Sequence, residues 1–140
     1  LQIRAEGTRI AVKCEKQQTA AIVDYLRKVL SDLPPPEDRP MPGALELAPP
    51  LDASFVLGPI GLGYDRSNDK VLIQLEEVGE VDEDGEFLDD DRGHVRLYVS
   101  RGQAAAFCDH ADRVVESGRP DCQWCNHPID PDGHACPRMN

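Results

Sequence analysis

The 140-residue chain has the length of one ordinary domain, and its 26 acidic and 15 basic residues give a formal net charge of −11 at pH 7. Nucleic-acid-binding proteins rely on Lys and Arg to neutralise phosphates, so this charge argues against that class. No apolar run approaches the roughly 20 residues that cross a bilayer and no signal peptide is apparent, so we expect a cytoplasmic protein outside the membrane.

The first predicted element is a β-hairpin at the start of the chain. Apolar and polar side chains alternate over residues 1–5 and 10–12, and residues 6–8 supply turn chemistry between them. Because the chain starts inside a strand, and at Leu1 instead of Met, we expect the polypeptide to continue upstream.

A helix is predicted over residues 15–31, and a proline-rich loop follows it. Several prolines after the helix remove backbone donors and disfavour helical geometry in the residues before them. We expect residues 32–50 to form a stiff surface connector, in preference to a proline-rich docking ligand. The apolar residues of the helix recur at spacings of three and four, on one stripe: Ala21, Ile22, Tyr25, Leu26, Val29 and Leu30.

Three further strands are predicted at residues 54–64, 71–75 and 94–99, and they favour an antiparallel meander. Gly58 and Pro59 interrupt the first of these strands. A phosphate-binding loop needs converging free amides and a following helix, whereas Pro59 has no amide and strand residues follow it. We interpret the glycine-rich stretch as a bulge or bend in a strand.

A second helix is predicted to begin after Ser100, whose S-x-x-Q spacing with Gln103 is that of a capping box. Gly118 is placed to end the helix. Together the elements predict an α+β fold, in which an antiparallel sheet, made of the hairpin and the meander, packs with two helices. We expect this domain to span residues 1–118 and a small zinc-binding tail to span residues 119–140.

A long acidic loop is predicted at residues 76–93. Ten acidic residues fall within its first sixteen positions, a composition typical of a solvated, mobile loop that attracts a basic partner surface. A calcium-binding loop is the less favoured alternative, because strands flank the loop and the bidentate Glu at the last position is absent. With Gly85 at position six, its ligands would be Glu80, Asp82, Asp84 and Asp91.

The tail carries the strongest chemical signal, a C-x-x-C followed by an H-x-C. Cys122 and Cys125 can form a knuckle whose thiolates converge, and a turn over residues 128–133 can return His134 and Cys136 to the same point. Zinc suits three thiolates and one imidazole, and four side-chain ligands leave no water to activate. We predict a structural zinc site with these four ligands.

Three alternatives to this site stay open. His127 can replace His134, although that would crowd three ligands into one short turn. A redox pair of Cys122 and Cys125 would need a helix amino terminus to lower a thiol pKa, and Pro128 disfavours a helix there. A disulfide is typical of secreted chains, whereas an odd number of cysteines, five, and the lack of an export signal argue against one.

Outside the tail we predict no catalytic residue. His94 and His110 have no neighbouring group in the sequence that completes a catalytic pattern. Cys14 lies at a strand end and Cys108 on an apolar helical stripe, where a free cysteine acts as a small buried residue.

The final stretch, VVESGRPDCQWCNHPIDPDGHACPRMN, resembles the carboxy-terminal signature of an actinobacterial family known as domain of unknown function 3090. The pattern GRP-x-C-x-x-C-x-x-P-x-DP-x-GH-x-CPR-x-N runs through it, and LQIRAEGTRIAVKCEKQQTAAIVDYL is similar to the family as well. Carried over residue by residue, the pattern selects the same four ligands and omits His127. Asn126 stands where glycine is common in such knuckles. The resemblance also implies a start further upstream, and it implies no activity.

Our first hypothesis is a non-catalytic accessory protein, whose zinc-stapled tail and acidic loop contact another protein. The alternative is an enzyme with a pocket between the sheet and the first helix, or in residues upstream of Leu1; a deep pocket with converging polar groups would favour it. A third reading is a thiol redox or metal-handling protein, which an accessible pair of cysteine thiols would favour.

Overall fold

Two helices and five strands make up the described part of the chain, residues 1–41, 43–129 and 132–138 of a computed structural model. All the predicted helices and strands are present, and their ends differ from the predicted ones by no more than a few residues. In chain order the elements are β1 (Gln2–Ala5), β2 (Thr8–Lys13), α1 (Lys16–Ser31), β3 (Phe55–Asp65), β4 (Lys70–Glu77), β5 (His94–Val99) and α2 (Arg101–Glu116).

The strands form one sheet in the order β1-β2-β3-β4-β5. The antiparallel β1–β2 hairpin and the antiparallel β3-β4-β5 meander are both as predicted. A short parallel pairing joins these two halves, with Val12 opposite Phe55 and Lys13 opposite Val56. The sequence had indicated an antiparallel sheet without this link. Because the sheet is mostly antiparallel, the α+β class is confirmed.

Gly58 and Pro59 interrupt the pairing of β3 with β4, as predicted. The register shifts between Leu57 and Ile60, and proline is tolerated at such an irregularity because it has no amide to offer the ladder. A Cβ at Gly58 would lie 2.7 Å from the Cα of Val78, so the close approach of the two backbones requires glycine. The glycine-rich stretch is therefore part of a strand.

The two helices pack against each other and against one face of the sheet. Both core clusters are built largely from aliphatic side chains. The cluster beside the helices contains Ile22, Val23, Leu26, Val71, Ala104, Cys108 and Ala111. The second cluster contains residues of every strand from β2 to β5: Val12, Phe55, Leu57, Leu75 and Val95.

The first and last strands of the sheet line the same cavity, together with β4, both helices and part of the proline-rich loop. Residues 1–4, which include most of β1, and Leu97 and Val99 of β5 border a space of ≈ 230 Å³. Side chains of both helices, among them Leu26 and Phe107, close its inner side. The cavity therefore lies between the sheet and the two helices, next to the helical core.

Asp38 holds the proline-rich loop against the start of α2. Ser100 and Gln103 form the predicted capping box, and the Ser100 hydroxyl also donates to the Asp38 carboxylate. A Cβ at Gly102 would lie 2.2 Å from the carbonyl oxygen of Asp38, so this approach of loop to helix requires glycine. The loop is thus fixed by a long-range helix cap that sequence reasoning did not identify.

We expect Asp38→Asn to remove a pH-dependent part of the stability. The hydrogen bond from Ser100, followed by those from the amides of Asp38 itself and of Gly102, holds the pKa of Asp38 below its ordinary value. Because the pKa of Asp38 is lower in the folded state than its unfolded value of about 3.9, the ionised carboxylate stabilises the fold above about pH 3.9. This stabilisation is lost as the pH falls through the folded-state pKa. In urea unfolding, the variant should therefore have a lower free energy of unfolding than the wild type at neutral pH. In strong acid the two free energies should agree.

The matched control for this prediction is Asp24→Asn, an exposed position on α1 whose side chain makes no hydrogen bond among the described residues. At neutral pH this control should change the free energy of unfolding by less than about 0.5 kcal/mol. A difference between Asp38→Asn and the wild type that stays constant into strong acid would contradict the capping role of the carboxylate.

Candidate metal centre

The tail begins as a tight hairpin around Cys122 and Cys125. An isolated bridge between Asp121 and Pro128 marks its two arms. The turn residues carry no helix, which removes the helix amino terminus that the redox alternative needs. Three backbone hydrogen bonds of 2.8 Å close the hairpin: Cys122 N to His127 O, Asn126 N to Cys122 O and Ile129 N to Pro120 O.

Backbone amides inside the turn favour ionisation of the first thiol. The amide of Trp124 donates to Cys122 Sγ at 3.5 Å, and the amides of Trp124 and Cys125 together lower the pKa of Cys122. The amide of His127 acts to lower the pKa of Cys125, but desolvation and the thiols of Cys136 and Cys122 outweigh it and raise that pKa. Of these two thiols, Cys122 therefore loses its proton more readily, and the thiolate is the form that binds metals.

Asn126 completes the knuckle with a backbone conformation that most residues avoid. Its φ is +58°, in the left-handed region where only glycine, and to a lesser degree Asn and Asp, lie without a large steric cost. Asn126 therefore replaces the glycine that is common here without changing the turn.

We expect Asn126→Gly to keep the metal site and Asn126→Val to weaken it. A β-branched side chain at positive φ costs roughly 1–2 kcal/mol, because its Cβ crowds the following carbonyl oxygen. The measurement is a competitive titration of zinc against a chromophoric chelator, in which Asn126→Val should release the ion about ten times more readily than Asn126→Gly. Equal affinities for the two variants would show that the turn does not position the thiols.

Four side chains of the tail converge on one point. The ligand atoms of Cys122, Cys125, His134 and Cys136 all lie within 4.8 Å of one another. Cys125 Sγ is 3.3 Å from His134 Nε2, and Cys122 Sγ is 3.8 Å from Cys136 Sγ. A tetrahedral ion with metal–sulfur bonds of about 2.3 Å places two sulfurs about 3.8 Å apart, so the spacing suits a shared ion.

The same geometry bears on two of the predicted alternatives, the disulfide and the exchange of His134 for His127. All five cysteines are free, and 3.8 Å is far beyond the roughly 2.05 Å of a disulfide. His127 is not a member of the four-residue group; its main chain closes the knuckle instead. The predicted turn over residues 128–133 includes residues 130 and 131, which lie outside the described part of the chain.

The acidic loop uses its carboxylates to form a turn. The carboxylate of Asp82 accepts hydrogen bonds from the amides of Asp84 and Glu86, both at 2.9 Å. Arg92 stacks on Phe87, with its guanidinium carbon 3.3 Å from the ring centroid. The described residues of the loop bring no three carboxylates together at a distance suited to one ion, so the calcium alternative gains no support.

The remaining predicted positions lie apart from the metal cluster. Cys108 is buried in the helical core, and burial raises the pKa of its thiol to about 11, which makes it unreactive. Cys14 contacts Thr19 at 3.4 Å. A cavity lies between the sheet and α1, where the enzyme alternative places its pocket, and Ile22 and Leu26 of α1 and Leu97 and Val99 of β5 are part of its lining.

The comparisons with known proteins place the chain in a family. Among its described helices, none has the length and apolarity needed to span a bilayer. No curated protein and no solved structure matches the chain. One family model, described as protein of unknown function (DUF3090), matches residues 1–136 and so includes all four cluster residues. The resemblance of the sequence is confirmed, and the chain belongs to the DUF3090 family.

Proposed function

We propose that the Cys122, Cys125, His134 and Cys136 cluster binds one zinc ion with a structural role. The observation that carries this proposal is the convergence of four ligand atoms within 4.8 Å. Zinc accepts thiolate and imidazole ligands in a tetrahedron and, when bound, would cross-link the tail without redox chemistry. Since all four positions are taken by side chains, none is left for a water or a substrate.

The ion would replace a hydrophobic core in the tail. Within the described residues of 119–138, the buried residues are Cys122 and Cys136, both proposed ligands. A segment this small cannot bury enough apolar surface to fix its conformation, so metal binding would supply the folding free energy. We further propose that residues 1–118 and 119–140 form two units.

We also propose that the protein is an accessory factor that contacts another protein. The tail exposes 53% of Trp124 and the acidic loop exposes 65% of Leu88, and aromatic side chains such as Trp are enriched in protein contact surfaces. The cavity between the sheet and the helices is mainly apolar, and its polar side chains Gln2, Arg4 and Gln103 are bonded to main-chain groups. Such a lining suits packing more than acid–base chemistry.

Metal analysis of the purified protein tests the structural site. Elemental mass spectrometry should find one zinc per chain that survives dialysis, and Cys14→Ser, a cysteine outside the cluster, should retain it. Alkylation of Cys122 and Cys125 should be slow until a chelator removes the ion. Rapid alkylation of both thiols in the metal-loaded protein would favour the redox alternative, and iron in place of zinc would contradict the choice of metal.

Affinity capture with a matched variant tests the accessory role. A partner that binds the wild type and is lost from a variant with Asp89, Asp90 and Asp91 changed to Asn would support contact through the acidic loop. A chain that turns over a small molecule without any such partner would contradict this role and favour the enzyme alternative.

A further inference from the structure

We propose that the metal cluster is a redox-sensitive switch, in which a hydroperoxide oxidises Cys125 and Cys122 to a disulfide, releases the zinc ion and unfolds the tail. This inference rests on the proposed structural zinc site and adds its regulation. The switch differs from a catalytic redox pair, because the two thiolates hold zinc until the oxidant reaches them.

The cluster has a buried side and an open side. Cys122 and Cys136 are buried, with exposed fractions of 4% and 7%. Cys125 and His134 are only partly buried, and both chain neighbours of Cys125 are exposed. A zinc-bound thiol has already lost its proton, and oxidation of cysteine follows thiolate character and solvent access. A small oxidant in solution therefore meets the sulfur of Cys125 first.

A second thiol lies close enough to Cys125 to complete a disulfide. The ligand atoms of the cluster are all within 4.8 Å of one another, so Cys122 and Cys136 both qualify by distance. Cys122 belongs to the same hairpin as Cys125, which a bond of 2.8 Å from the amide of Asn126 to the carbonyl of Cys122 helps to close. Among the described residues, no backbone hydrogen bond joins residues 132–138 to this hairpin. Cys122 is therefore the thiol that stays beside Cys125 once the ion is loosened.

One hydroperoxide accounts for the whole oxidation. The sulfur of Cys125 attacks a peroxide oxygen, so that an S–O bond forms while the O–O bond breaks, and the departing oxygen takes up a proton. The thiolate of Cys122 then attacks the sulfur of Cys125, forms the S–S bond and expels the remaining oxygen, which leaves as water after taking up a second proton. The two thiolates lose two electrons, and the peroxide gains two electrons and two protons.

Loss of two of its four ligands would release the ion, and the fold of the tail depends on that ion. Within the described residues of 119–138, the buried residues are Cys122 and Cys136, so no apolar core remains to hold the tail together. The exposed Trp124, proposed as part of a contact surface, belongs to the same hairpin. Oxidation would therefore remove this surface and leave the α+β domain folded, and reduction in the presence of zinc would restore it.

The test exposes the zinc-loaded full chain to hydrogen peroxide, while a chromophoric chelator reports the released zinc. A stoichiometric amount of peroxide should release the ion, and mass spectrometry of peptides should find a disulfide between Cys122 and Cys125. The emission of Trp124 should change to that of the chelated protein, and a dithiol reductant with added zinc should reverse the change. Cys14→Ser, outside the cluster, should release zinc at the wild-type rate.

Two variants with two cysteines and two histidines as ligands separate the exposed thiolate from the others. Cys125→His removes this thiolate and keeps four side chains that bind zinc, so peroxide should release the ion roughly tenfold or more slowly than from the wild type. Cys136→His changes the ligand set equally but keeps both hairpin thiolates, so its zinc should leave roughly tenfold or more faster than that of Cys125→His. The zinc content before oxidation establishes that each variant is loaded.

Three results would overturn the switch. One is a wild type that keeps its zinc under peroxide that oxidises the chelated tail, and another is a first disulfide that contains Cys136. The third is equal release from the two loaded variants. All three would leave the proposed structural site intact, since zinc would still be bound before oxidation. A purified chain without zinc would contradict the site itself, and this inference with it.

Discussion

Cys136→Ser should release the bound metal and unfold the tail, while the α+β domain stays folded. Cys136 is 7% exposed and its sulfur lies 3.8 Å from that of Cys122, so the variant removes a central ligand of the cluster. Apparent binding free energies for structural zinc are about 10–16 kcal/mol at pH 7, and an equal share for each of four ligands is on the order of 3 kcal/mol. We therefore expect the zinc content to fall from one ion per chain towards none after dialysis.

The fluorescence of Trp124 reports the state of the tail directly. It is the single tryptophan of the chain, and its amide bonds to the sulfur of Cys122. Chelation of the wild type should change its emission, and Cys136→Ser should show the chelated spectrum from the start. The control Cys14→Ser should behave as the wild type. Zinc retained by Cys136→Ser with unchanged tail stability would show that the four residues are not one site.

The four members of the cluster could be predicted because their spacing encodes their geometry. A C-x-x-C turn brings two thiolates together locally, and H-x-C places two more donors on one short segment. What the spacing alone did not resolve was the choice between His127 and His134. Backbone geometry decides which histidine joins: the main chain of His127 closes the knuckle, while Nε2 of His134 lies 3.3 Å from Cys125 Sγ.

The elements of the fold could be predicted for a similar reason, and the links between them could not. Apolar periodicity and the Ser100 cap are local properties, so the helices and strands were found. The parallel pairing of Val12 with Phe55 joins residues far apart in sequence over only two positions, which leaves no local pattern. The contact of Asp38 with Gly102 is likewise visible only once the loop and the helix have been placed together.

Leu26→Ala should destabilise the α+β domain without changing the zinc content. Leu26 is fully buried, 0% exposed, between the helices and the sheet. Truncation of a buried leucine leaves a cavity that the packing closes only in part, and typically costs 2–5 kcal/mol, so we expect a loss of about 3 kcal/mol. Urea unfolding followed by far-ultraviolet circular dichroism measures this loss, and elemental analysis of the same sample measures the metal.

The effects of Leu26→Ala on domain stability and on zinc content together test whether residues 1–118 and 119–140 are separate units. Val114→Ala, which shortens an aliphatic side chain that is 56% exposed on α2, should change the free energy of unfolding by less than about 0.5 kcal/mol. Chelation of zinc from the wild type is the reciprocal experiment, and should alter the tail alone because the ligands all belong to it. If chelation lowers the urea midpoint of the domain, or if Leu26→Ala releases zinc under native conditions, the two segments fold as one unit and the metal supports the whole chain.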